Sequence, residues 1–96
     1  MTTMRAAVFQ QKGKIGLRLE QVGMLWRVVA ITPAGAAAKA GVQVGDDIVA
    51  INGLLMPSTD QLRQIVAGLR PGEVVTLKLF DLRGPAKVYR LEATAE

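Results

Sequence analysis

Residues 30 to 53 read AITPAGAAAKAGVQVGDDIVAING, and this run decides the fold. Thr32-Pro33 stops the branched run Leu25 to Ile31, which reads as a mostly buried strand. The small residues after it fit a helix of one to two turns. Gly41 closes that helix, at a position where a left-handed cap favours glycine. Gly35 stands at the N-cap, which tolerates glycine but where a serine would bond the first turn better. Gly45-Asp46 reads as a turn, Ile48 to Ile51 as a buried strand, and Asn52-Gly53 as a second turn.

Working outward, Met4 to Gln10 is a short strand candidate ended by Gly13. The stretch KGKIGLRLE, Lys12 to Glu20, is a basic bend that runs into the apolar-polar alternation Ile15, Leu17, Leu19. Gly23 marks the next turn. Downstream, Leu54 to Met56 is a short extension broken by Pro57. Ser58 and Gln61 have capping-box spacing, so a helix begins there, over about 59–70. Leu62, Ile65, Val66 and Leu69 give it one apolar face at helical period. Pro71-Gly72 ends it. Val74 to Phe80 and Lys87 to Leu91 are two further strands, joined by DLRGPA.

The order predicts an α+β, mainly β fold. Its expected form is a partly open antiparallel barrel or sandwich of five to seven short strands, capped by one short and one longer helix. Parallel winding is disfavoured, because only one helix is long enough for a crossover. The 96 residues suit one domain, residues 1–96 with a core of about 4–93, expected to be part of a larger protein.

Cysteine and histidine are absent. No disulfide, thiolate metal site or imidazole base is available, and no Ser-His-Asp triad can be drawn around Ser58, the single serine. No cofactor is expected. The net charge is +4, and Arg5, Lys12, Lys14, Arg18 and Arg27 face only Glu20 in the first 27 positions. Such a patch can attract nucleic acid, an anionic membrane or an acidic peptide end. No stretch approaches the roughly 18 apolar residues that span a bilayer.

The whole order resembles the PDZ domain, most specifically at Pro33, Ala37, Gly41, Gly45, Asp46, Ile48, Ile51, Asn52 and Gly53. LRQIVAGLRPGEVVTL resembles the bacterial branch attached to HtrA-like and other envelope proteases. Two positions depart from the family pattern. Gly35-Ala36 stands where Ser-Pro is usual, and Lys14 replaces the first glycine of the loop Lys14-Ile15-Gly16-Leu17.

The resemblance implies a peptide-binding module that captures protein C-termini or apolar peptide segments by β-strand addition. The amides of Ile15, Gly16 and Leu17 would hold the terminal carboxylate in a nest. Gly16 would permit the turn and a close ligand approach, while Lys12 and Lys14 would steer ligands electrostatically. The strand Leu17, Arg18, Leu19 and Glu20 would offer an open edge. Leu62, Val66 and Leu69 would form the opposite wall, with Ile65 and Gly68 turned to the core. Ile15, Leu17, Leu19 and Leu69 would line the last pocket. Leu62 lacks a hydrogen-bonding group, so an apolar ligand side chain is expected beside it.

On this reading the domain is non-catalytic and governs the substrates of a parent protease. The parent's compartment would be bacterial periplasm or cell envelope, although the chain itself does not state one. The alternative is a structural or oligomerisation domain whose groove is filled by its own chain and binds no free peptide. Nucleic-acid binding is a weaker reading, since Trp26 and Tyr89 lack an RNA-binding motif and suit a core better. Asp46-Asp47 is better explained as a turn cap than as a metal site, because neighbours on a strand point to opposite faces.

Overall fold

The computed structural model describes residues 8–11, 13–80 and 87–94. Its elements run β1 (Val8–Gln11), β2 (Leu17–Val22), β3 (Leu25–Ile31), α1 (Ala36–Ala40), β4 (Asp47–Ile51), β5 (Leu54–Leu55), α2 (Thr59–Ala67), β6 (Val74–Leu79) and β7 (Val88–Glu92). Every strand pairing is antiparallel, in the order β1-β2-β3-β4-β6-β7 with β5 added on β4. The order does not close on itself, so among the described residues seven strands make an open antiparallel sheet, the upper end of the five to seven expected. Lys12, the Met4 to Ala7 part of the first strand candidate, and the 81–86 connection lie outside the described residues.

Local chemistry explains most boundaries. Asn52 and Gly53 have φ of 49° and 79°, the mirror-image turn that joins Ile51 to its partner Leu54. Gly41 has φ of 89° and closes α1 through backbone bonds to the Ala37 and Ala38 carbonyls. The Ser58 hydroxyl accepts from the Gln61 amide, and the Gln61 side chain accepts from the Ser58 amide. The capping box is therefore complete. The helix ends at Ala67, three residues before the expected limit.

The core is one apolar cluster. It gathers Phe9 of β1, Leu17 and Leu19 of β2, Trp26 and Val28 of β3, Ile48 and Ile51 of β4, Leu62 and Val66 of α2, and Leu77 and Leu91 of the last hairpin. α1 lays Ala36 and Ala37 inward and packs against β7. Small side chains allow that close seating. Trp26 is fully buried, and its Nε1 donates to the Pro57 carbonyl at 2.8 Å. That bond fastens the segment leading into α2 onto β3, and so positions the helix relative to the sheet.

Candidate functional site

The loop ahead of β2 is held by its carbonyls. The Lys14 oxygen accepts from the Thr94 amide at 3.0 Å, that of Ile15 from Ala37 at 2.9 Å, and that of Gly16 from Thr32 at 2.9 Å. A trans peptide plane sets the next N–H opposite to each carbonyl. The amides of Ile15, Gly16 and Leu17 therefore point away from Thr94, α1 and the Thr32 turn. Gly16 has φ of 68°, and a Cβ there would come within 3.3 Å of the Thr32 Cβ. The sequence assigns this glycine two tasks, the turn and ligand approach; the structure adds that a side chain here would crowd the domain's own Thr32 turn.

Lys14 does more than the electrostatic steering expected of it. It is half-buried, and its ammonium donates to the Ala67 carbonyl at 3.0 Å and the Val66 carbonyl at 3.4 Å. The last turn of a helix leaves carbonyls without partners and carries partial negative charge, so a cation binds there. Lys14 thus ties the loop to the C-terminal end of α2. Lys12, its companion in the expected steering role, is outside the described residues.

The expected walls of the groove come together. Leu62, Val66 and Leu69 are all buried, as are Ile15, Leu17 and Leu19, and all six belong to the same cluster. Arg18 is exposed on the opposite face of β2. There it lines a shallow cleft of about 100 Å³ with Gln10, Ala30, Ile31 and Thr32. Ile65 is only half-buried and Gly68 is exposed, so neither turns fully to the core as expected. The inward stripe is Leu62 and Val66 of α2, continued by Leu69 just beyond its end, with Ile65 half-buried beside it.

The expected open edge of β2 is not open. β1 pairs along it antiparallel, with Val8 opposite Glu20, Phe9 opposite Leu19, Gln10 opposite Arg18 and Gln11 opposite Leu17. β1 also packs against α2, and Val8, Phe9 and Gln10 share a cleft of about 270 Å³ with Arg63, Val66 and Ala67. The strand therefore lies between β2 and the helix. Phe9 is 5% exposed while Val8 is 37% exposed, so a single inward aromatic closes this part of the core. An unpaired edge and an apolar helix face both gain from a covering strand, and the adjacent chain supplies one.

Phe9 and Arg63 line this cleft and are absent from the site residues expected from the sequence. In sequence Phe9 sits in the short strand candidate Met4 to Gln10, with nothing local to name its partner strand. The remaining candidates are structural. Asp46 Oδ2 accepts from the Gln43 amide and the Tyr89 hydroxyl, each at 2.9 Å. Asp47 instead takes the Arg27 guanidinium, with Nε at 2.9 Å and Nη2 at 3.3 Å. Their different partners remove the paired-carboxylate reading. Among the described residues no group of three acidic side chains could hold a metal.

An antiparallel sheet with a carbonyl-fixed loop, a short alanine helix and a capped second helix beside the loop's strand defines the class. Residues 27–79 match the family model of the PDZ domain, and the chain belongs to that family. The PDZ domain is a non-catalytic module that generally mediates protein interaction and peptide binding, and protease relatives carry it as an accessory part. The chain is 37% identical over 54 residues to a probable periplasmic serine endoprotease, DegP-like, of Halomonas elongata, covering 56% of this chain and 11% of that protein. It superposes on a serine endoprotease of Yersinia pestis with a TM-score of 0.70 and 30% identity, over 88% of this chain and 29% of the other. The fold also matches an HtrA-type protease, AlgW, with a decapeptide, at a TM-score of 0.75 and 19% identity, over 88% and 29% of the two chains. No helix among the described residues is long and apolar enough to cross a membrane.

Proposed function

We propose that residues 1–96 form the peptide-binding module of a larger bacterial envelope protease. The module takes protein C-termini or apolar peptide segments as an added strand between β2 and α2, and so governs which substrates the parent protease engages. The observation that carries this is the seat of β1. An extended chain already lies antiparallel on β2 and against α2, so this edge and helix face accept a strand. The amides of Ile15, Gly16 and Leu17, turned away from the partners of the loop's carbonyls, support a carboxylate nest at the end of this track, with the Leu17 amide on the side that Gln11 of β1 faces. The name of the DegP-like relative supports a periplasmic parent, and the AlgW structure is one with a decapeptide.

The test is an NMR titration of the labelled chain with peptides ending in valine, as free acid and as amide. Saturable shifts at Ile15 to Leu17 and along Leu62 to Leu69 are expected for the acid, with at least tenfold weaker binding of the amide. With leucine at position 62, Val, Leu or Phe third from the peptide's end should outperform Ser or Thr. Equal binding of acid and amide would remove the carboxylate nest. The same β1 strand favours a second reading, a structural domain whose groove is permanently filled. The absence of shifts with every peptide would select it.

A further inference from the structure

Resting on the peptide-binding reading, we propose that β1 is a displaceable internal competitor, which a peptide entering in trans must evict from β2 and α2. Its polarity is the first argument. Gln11 lies opposite Leu17 and Val8 opposite Glu20, so the C-terminal end of β1 faces the loop that precedes β2. A peptide presenting its carboxylate to that loop must run the same way. β1 and such a peptide claim one track.

The second argument is what β1 leaves unused. It spans four residues, and of its described side chains it buries one large one, Phe9, while Val8 remains 37% exposed. A cleft of about 270 Å³ stays open beside it against Arg63, Val66 and Ala67. Gln11 is followed in sequence by Lys12, so β1 brings no terminal carboxylate to the loop amides. A free peptide with an apolar end supplies both missing contributions. The groove walls have other supports: Trp26 on Pro57, the Ser58–Gln61 capping box, and Lys14 on Ala67. They can persist when β1 leaves.

Short linkage keeps β1 at high effective concentration over the groove. The apparent affinity for a trans peptide then falls by the fraction of molecules in which β1 is off. An open fraction of roughly 1–10% weakens binding about 10- to 100-fold. Affinity is thus set by how firmly Phe9 is seated as well as by the ligand.

The experiment compares the full chain with Phe9→Asp and Gln11→Pro, using the fluorescent peptide AAVFQV with a free carboxylate. Phe9→Asp makes seating β1 unfavourable. Gln11→Pro keeps Phe9 and removes the backbone N–H that faces Leu17 across the ladder, and it decides the matter if the aspartate variant fails to fold. Folding is checked by thermal melting, and β1 release by faster amide exchange at Arg18 to Glu20. Both variants should bind roughly 10- to 100-fold more tightly than the parent chain. Equal affinity in all three chains overturns the competitor while leaving the peptide-binding module intact. No binding to a folded variant with β1 released overturns both.

Discussion

Gly16 and Gly35 lie back to back: a Cβ on Gly16 would stand 3.4 Å from the Gly35 Cα, and one on Gly35 would stand 3.5 Å from the Gly16 Cα. The bend before β2 and the start of α1 meet there without side chains. A serine at Gly35 would ordinarily gain a few tenths of a kcal/mol over glycine as an N-cap. Here its Cβ would come within 3.2 Å of the Thr32 carbonyl oxygen, which the Gly35 amide already holds at 3.0 Å. That oxygen has little freedom to retreat. Gly35→Ser should therefore lower stability, by about 1 kcal/mol, the lower end of overpacking costs. A urea midpoint equal to or above the parent's would show that the turn can yield.

Gly16→Ala should be worse. The left-handed backbone alone costs roughly 1–2 kcal/mol for a residue with a Cβ, and the contact with Thr32 adds to it. A loss of stability is expected, alongside any loss of peptide binding. An alanine variant as stable as the parent but unable to bind would leave ligand approach, rather than the turn, as the reason for glycine here.

Lys14→Gln should fray α2 from its C-terminal end. The lost ammonium contacts carry about 0.3–1 kcal/mol at a partly exposed helix terminus. Amide exchange at the last turn of α2 should accelerate, and the difference between parent and variant should shrink as salt is added. A difference that stays constant with salt would assign the effect to packing of the lysine stem.

The parts of this molecule that were legible in sequence are those whose cause is local. The Ser58–Gln61 capping box, the Asn52-Gly53 turn, the glycine after α1 and the branched run of β3 each depend on neighbours within a few residues. The family pattern from Pro33 to Gly53 added their arrangement in space. What was not legible depends on residues far apart in the chain. Lys14 finds carbonyls 52 and 53 positions away. Gly35 is kept free of a side chain by Gly16 and Thr32, so cap preference alone misjudged it. Phe9 gave the signal of an ordinary short strand, and only its pairing with Leu19 shows that it stands in the expected ligand track.

Trp26→Phe tests the fastening of α2. The substitution leaves the Pro57 carbonyl without its 2.8 Å donor in a buried setting, which costs about 1–3 kcal/mol. The smaller ring leaves a void that adds to the loss. The effect should concentrate on the entry to α2, visible as faster amide exchange at Leu62. Uniform loosening across the sheet, with α2 no more affected than β6, would mean that the indole acts by volume alone.

Tyr89 offers a pH test with a clear sign. Burial first, and then its hydrogen bond to Asp46, raise the phenol above its ordinary pKa of about 10. The folded state therefore holds the proton more tightly than the unfolded chain. Stability from this source is complete below about pH 10 and declines as pH rises from there toward the raised folded value. Since this is the chain's single tyrosine, its ionisation can be followed directly in the ultraviolet, and titration in the folded protein should lag the denatured chain. Tyr89→Phe removes the 2.9 Å bond to Asp46. At neutral pH that should cost about 0.5–1.5 kcal/mol for a typical hydrogen bond, and up to about 3 if the ionised acceptor strengthens it. The stability difference between parent and variant should then narrow above pH 10, as the parent loses its advantage. A difference that widens with pH would reverse the sign of the shift and show that the tyrosinate, rather than the phenol, is favoured in the folded state.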